Sequence, residues 1–137
     1  MSAAPHAVIF PVRQGEEPWT DAEVAEIRKQ LEEDAVGLRA DIARAAAEVA
    51  ERLTDAVRDA GDDQADAGAK AFEREHELAL TQNAQDLLDQ TTHALERIDA
   101  GTYGVCESCG KPIGKARLQA FPRATLCVQC KQREERR

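Results

Sequence analysis

The sequence predicts a mainly α protein: a long antiparallel helical hairpin (a coiled coil) followed by a small four-cysteine zinc finger. Three observations carry that prediction. Helix formers dominate from Asp21 to Ala100, with apolar residues at heptad-like spacing in two runs. A polar turn, Gly61-Asp62-Asp63-Gln64-Ala65, separates the runs. The four cysteines, Cys106, Cys109, Cys127 and Cys130, stand as two Cys-x2-Cys pairs with 17 residues between them. That spacing falls within the window of a four-thiolate zinc site. With only 4% aromatic and 32% charged residues, a large globular core is not expected. Helix pairing and a metal must supply what the core does not.

Residues 1–18 form the first segment and are expected to be flexible or loosely packed. Its longest apolar run, Ala7-Val8-Ile9-Phe10, ends at Pro11. That falls short of the about 7–15 apolar residues of a secretory signal. No stretch approaches the roughly 20 apolar residues of a membrane span. A soluble, cytoplasmic protein is expected, in which thiols stay reduced and free to hold zinc.

The hairpin occupies residues 19–100. Thr20-Asp21-Ala22-Glu23 fits a capping box, with Thr20 as N-cap and Glu23 at N3, and Trp19 is placed to staple onto Val24. This structural role is preferred for the lone tryptophan over ligand stacking. The helix should run to about Ala60. Its seam is Val24, Leu31, Ala35, Leu38, Ile42, Ala45, Val49 and Ala56, with Gly37 as a soft point. After a tip at 61–66, a second helix should run from about Asp66 to Asp99. Its seam is Leu80, Ala84, Leu87, Thr91, Ala94 and Ile98, widened by Leu88 and Leu95. At 1.5 Å per residue the arms would measure roughly 60 and 50 Å. Gly101 is a natural stop. A heptad seam can also pair two chains, but one that folds back on itself already buries both seams, so a monomer is expected.

The finger occupies 101–131, followed by a charged stub at 132–137. Two knuckles can aim four sulfurs at one point, which suits a d10 ion, and four protein ligands leave no position for an activated water. The site should hold one structural Zn2+. Two disulfides are the competing pairing, disfavoured by the absence of an oxidising destination. Gly110 permits the tight turn after the first pair. Lys115-Ala116-Arg117-Leu118 reads as a short strand or helical turn. Tyr103, Ile113, Leu118, Phe121 and Leu126 are the expected small core, with Lys111, Lys115, Arg117 and Arg123 outside.

Charge divides at the finger. Through Val105 there are 10 basic and 23 acidic residues; from Cys106 onward there are 8 basic and 3 acidic. The acidic body argues against a protein that runs along DNA, whose affinity comes mainly from phosphate neutralisation. The basic finger could meet nucleic acid or an acidic protein surface. His6, His76 and His93 show no metal spacing to the cysteines. No nucleophile–base pair or phosphate loop appears, so an enzyme is not expected. At the tip, Asp63 and Asp66 read as helix caps worth about 1 kcal/mol or less each, or as a carboxylate pair presented on a thin probe to Mg2+ or a basic pocket. A zinc-finger nucleic-acid-binding module and a coiled-coil scaffold with a zinc cap both fit the residues. The salt dependence of DNA binding would test the first.

The run Tyr103-Gly104-Val105-Cys106-Glu107-Ser108-Cys109-Gly110, then Ile113-Gly114, Arg117-Leu118 and Leu126-Cys127-Val128-Gln129-Cys130-Lys131, resembles the DksA/TraR family of C4 zinc-finger regulators. The resemblance extends through the hairpin, over about residues 20–131. It implies a regulator of bacterial RNA polymerase that makes no sequence-specific DNA contact. Its coiled coil would enter the secondary channel, and its acidic tip would approach the active site and alter initiation. The family's tip pattern, Asp-x-x-Asp-x-Ala, reads here Asp63-Gln64-Ala65-Asp66-Ala67-Gly68, with glycine in place of alanine. The positions that hold guanosine tetraphosphate in the family's best-known member fall on Gln90, Phe121 and Lys131. Only Lys131 is basic, which leaves little to hold a phosphate-rich ligand, so alarmone binding is not expected.

Overall fold

The computed structural model describes residues 10–58 and 64–136, and side chains throughout these except at 56–58 and 64–67. Residues 1–9 and most of the tip turn, Asp63 included, lie outside the described residues. Four helices follow in order: α1 (Asp21–Arg58), α2 (Gln64–Ala100), α3 (Lys115–Ala120) and α4 (Val128–Glu135). No strand forms among the described residues; Val105 and Pro112 make one isolated antiparallel bridge.

Local chemistry sets the helix ends. At the start of α1, Thr20 N donates to Glu23 Oε1 (3.0 Å) and Glu23 N donates to Thr20 Oγ1 (3.1 Å). This is the reciprocal capping box, and it satisfies two donors that a helix start leaves open. At the end of α2, Gly101 has φ +79°, a conformation that costs glycine little. Thr102 N donates to Arg97 O (2.9 Å) and Gly101 N to Ile98 O (3.2 Å). These are the two bonds of a Schellman motif.

The chain divides into two compact units, one built from the residues up to Glu33 with those from Gln90 onward, the other from Asp34–Asp89. In the first, α1 contributes Ile27 and Leu31, α2 contributes Ala94 and Ile98, and the finger contributes Tyr103, Cys106, Ile113, Leu118 and Cys130 to one buried cluster. Thr91 is fully buried beside them on α2. Fully burying one large aliphatic side chain is worth about 1.5–3 kcal/mol, so this cluster anchors the base of the hairpin and the finger together. Arg28 Nη2 reaches Asp99 Oδ1 at 2.7 Å, linking the start of α1 to the end of α2.

In the second unit, the early part of α2 meets the late part of α1. Arg52 pairs with Glu77. Leu38, Ile42, Ala45 and Val49 on α1, and Ala84, Leu87 and Leu88 on α2, are half-buried. Leu80, expected in the seam, is 57% exposed. It shares a shallow depression with Asp41, Ile42, Ala45 and Glu48 of α1, of which only Ile42 offers a large apolar side chain to cover it. Ile27, absent from the expected seam, is buried.

Four expectations need correction. Residues 10–18 are not loosely packed. Phe10 is buried with its ring edge-on to Tyr103 (centroids 5.6 Å apart, planes at 74°). The Arg13–Glu16 turn closes on itself and sends Glu16 Oε2 to Lys115 N at 2.8 Å. Phe121 is 62% exposed rather than core; Pro122 is buried instead, and its carbonyl accepts the Tyr103 hydroxyl (2.9 Å). Lys115 is not outside, because its amine is drawn to Glu23 on α1. The stub at 132–137 is not separate from the finger, since α4 continues from the second cysteine pair through Glu135. The segment at Lys115, open between strand and helical turn, is helix α3.

Candidate metal centre

The first cysteine pair sits on a knuckle closed by backbone bonds. Cys106 N donates to Lys111 O (2.8 Å) and Gly110 N to Cys106 O (2.9 Å). Gly110 holds φ +77° at the turn, where a side chain would be strained. Ile113 N donates to Gly104 O (2.8 Å), which pins the far side of the loop. The second pair straddles the start of α4. Cys127 is its N-cap residue and Cys130 lies in its first turn. A helix N-terminus favours negative charge, and that suits a thiolate. Glu107 N donates to Thr125 O (2.9 Å), which ties the two halves together.

The topology brings all four predicted cysteines to one place. Their sulfurs lie within 4.8 Å of one another, and Cys109 Sγ and Cys127 Sγ are 3.9 Å apart. A tetrahedral Zn–S distance of about 2.3 Å implies sulfurs roughly 3.8 Å apart. The set therefore fits one zinc ion. All four cysteines are free, and four sulfurs converging on one point is the arrangement of a metal site rather than of two separate disulfides. An ion held by all four sulfurs would have no position left for water, so the site would organise structure rather than activate a nucleophile.

Without metal, the sulfurs hold their protons unevenly. Burial pushes the Cys106 thiol up, but backbone N–H groups of Cys109, Cys127 and Ser108 outweigh it and bring it down to about 6. Cys130 is pushed up to about 12, chiefly through its hydrogen bond with the Cys127 thiol. Packed thiolates repel one another, and a divalent cation is what relieves that repulsion.

The base of α2 also reaches the first knuckle. Arg97 Nη2 donates to Thr102 O (3.0 Å) and to Val105 O, and Arg97 Nε lies 3.8 Å from Glu107 Oε2. His93 Nε2 stands 2.7 Å from the same carboxylate oxygen. Sequence reasoning passed over Arg97 and Glu107 and gave His93 no role. A basic residue in the last turn of a helix is too common a feature to single out.

The tip residues stand differently. Asp66 lies in the first turn of α2. Gly68 is an exposed residue of the same helix, and a methyl group there would meet open space. No helix among the described residues is long and apolar enough to cross a membrane.

A helical hairpin carrying a C4 zinc finger is the class of protein these elements define. A prokaryotic dksA/traR C4-type zinc finger is matched at residues 101–136. The RNA polymerase-binding transcription factor DksA of Escherichia coli K12 is 30% identical over 122 residues, 89% of this chain and 78% of that protein. The factor of the same name from Caulobacter vibrioides is 41% identical over 75 residues, 55% of this chain; the chain spans about half of that relative's length (53%). Among solved structures, transcription factor DksA2 from Pseudomonas aeruginosa superposes with a TM-score of 0.70 at 33% identity, covering 85% of each chain. The chain belongs to the DksA/TraR family.

Proposed function

We propose that this protein is a transcription regulator that binds bacterial RNA polymerase in the cytoplasm and acts as a monomer. In this reading Cys106, Cys109, Cys127 and Cys130 ligate one structural Zn2+. The hairpin enters the secondary channel, and Asp63 and Asp66 at its tip approach the active site to modulate initiation. The observation that carries the reading is the joint one: a four-sulfur cluster and a helical hairpin meet in the same chain. Over most of its length the chain is similar to a relative named as an RNA polymerase-binding transcription factor and to a solved structure named as transcription factor DksA2. A thin two-helix probe suits a channel too narrow for a globular domain. Promoter-sequence recognition is not part of the proposal, and neither is alarmone binding, because Gln90 and Phe121 bring no cation beside Lys131.

The test is in vitro transcription from a promoter with a short-lived open complex. The Asp63→Asn/Asp66→Asn variant keeps much of the capping ability and removes two charges. It should still bind polymerase while its effect on initiation falls. If wild type and variant act alike with binding intact, the tip acids are caps only. A steep salt dependence of direct DNA binding, with no polymerase binding, would favour the nucleic-acid module.

A further inference from the structure

Arg97 grips both residues that flank Cys106. Its guanidinium donates to the carbonyl of Val105, just before the cysteine, and faces the carboxylate of Glu107, just after it. The side chain is only 8% exposed, so the charge has been taken out of water, which is costly unless its donors are met. Here Nη2 is met by Thr102 O and Val105 O, and Glu107 supplies the opposite charge 3.8 Å from Nε. Helix capping does not account for this. The Schellman bonds already close the end of α2, and Val105 and Glu107 lie beyond it. His93, one turn earlier on α2, holds the same Glu107 oxygen. Glu107 N in turn donates to Thr125 O, two residues before Cys127. The contacts run from the hairpin through the first knuckle to the approach of the second.

We propose that Arg97, with His93 and Glu107, is a positioning clamp by which the hairpin presets the zinc knuckle, so that metal affinity depends on a helix outside the finger. The proposal rests on the zinc reading above. Partners hydrogen-bonded to metal ligands fix ligand orientation, and their loss typically weakens metal binding about 10–100-fold; Arg97 acts one residue further out, on both neighbours of Cys106, so the low end of that range is expected. Arginine suits the role because Nη2 meets the two carbonyls while Nε faces Glu107; lysine, with a single nitrogen, cannot serve both sides at once.

The experiment is zinc competition with 4-(2-pyridylazo)resorcinol on the full chain, for wild type, Arg97→Lys, Glu107→Ala, the double variant and Arg28→Gln. Arg28→Gln breaks the 2.7 Å pair with Asp99 that joins α1 to the last turn of α2 without touching the knuckle, and serves as the control for losing an ion pair near the end of α2. Arg97→Lys should hold zinc about 10-fold more weakly and Glu107→Ala several-fold more weakly. The double variant should fall short of the product of the two effects, because the groups act as one unit. Arg28→Gln should stay close to wild type. With Co2+ in place of zinc, the ligand-field bands of Arg97→Lys should shift from those of wild type, which a mere loss of stability would not produce. Unchanged affinity and bands in Arg97→Lys overturn the clamp, and so does an equal loss in Arg28→Gln. If Arg97→Lys fails to fold, Glu107→Ala decides by the same comparison. A wild-type protein that takes up no zinc overturns the metal reading itself.

Discussion

Lys115 Nζ lies 2.7 Å from Glu23 Oε1, and that carboxylate also closes the cap of α1 through Thr20. One side chain therefore starts the hairpin and fastens the finger to it. The lysine is held on other sides by the carbonyls of Pro18 (3.2 Å) and Glu17 (3.4 Å) and by the Trp19 ring (5.4 Å to its centroid). The hydrogen bond from Lys115, followed by that from the Thr20 backbone, holds the Glu23 carboxyl well below its ordinary 4.5, at about 2.

A depressed carboxylate pKa contributes stability that is present above the unfolded value and lost as pH falls through the folded one. The window here runs from about 4.5 down to about 2. Glu23→Gln keeps a side chain able to close the capping box but loses the charge. It should unfold at lower urea concentration than wild type at pH 7. The difference should hold down to about pH 4.5 and shrink below it. A difference independent of pH in urea titrations would contradict the ion pair's role.

Zinc removal should be felt beyond the finger. Cys106 and Cys130 belong to the same buried cluster as Ile27, Leu31, Ala94 and Ile98. Chelation should unfold α3 and α4 and also loosen the hairpin's base, while part of the α1 and α2 helicity survives. Far-UV circular dichroism should lose more helix than the 6 residues of α3 and 8 of α4 hold. A loss confined to those two helices would show that the shared core does not couple them.

Tyr103 and Phe121 should respond in opposite order to what aromaticity alone suggests. Tyr103→Phe strands the buried Pro122 carbonyl that its hydroxyl now satisfies, at a cost of about 1–3 kcal/mol. Phe121→Ala removes an exposed ring that lies under the Arg117 guanidinium, 5.9 Å from its centroid, and should cost below about 1 kcal/mol. Chemical denaturation of the zinc-loaded variants checks the ranking.

Gly68→Ala should strengthen the tip. The added methyl meets open space, and alanine in place of glycine within a helix is worth up to about 1 kcal/mol. Since the change also restores the family's tip residue, regulation should rise with helicity. Transcription assays beside circular dichroism test both effects. Higher helicity with unchanged regulation would assign the residue a structural role only.

The parts legible in the sequence are those whose partners are close in the chain. Thr20 and Glu23 are three residues apart, Gly101 directly follows its helix, and each cysteine pair is a short turn. The buried stretch of the seams, from Leu31 to Ala35 on α1 and from Thr91 to Ile98 on α2, also followed its spacing. Contacts between distant segments left no periodic trace. Phe10 packs on Tyr103, Lys115 answers Glu23, and Arg97 reaches across the end of its own helix. Phe121 was misplaced because apolar character does not say which of two neighbours, Phe121 or Pro122, turns inward.

The central claim is that the hairpin carries this protein into RNA polymerase. A fluorescently labelled zinc-loaded chain titrated with core bacterial RNA polymerase tests it most directly, followed by addition of an unlabelled coiled-coil factor that occupies the secondary channel. The account predicts saturable binding that the competitor displaces. No saturable binding, or binding that persists undiminished with the channel filled, would contradict it.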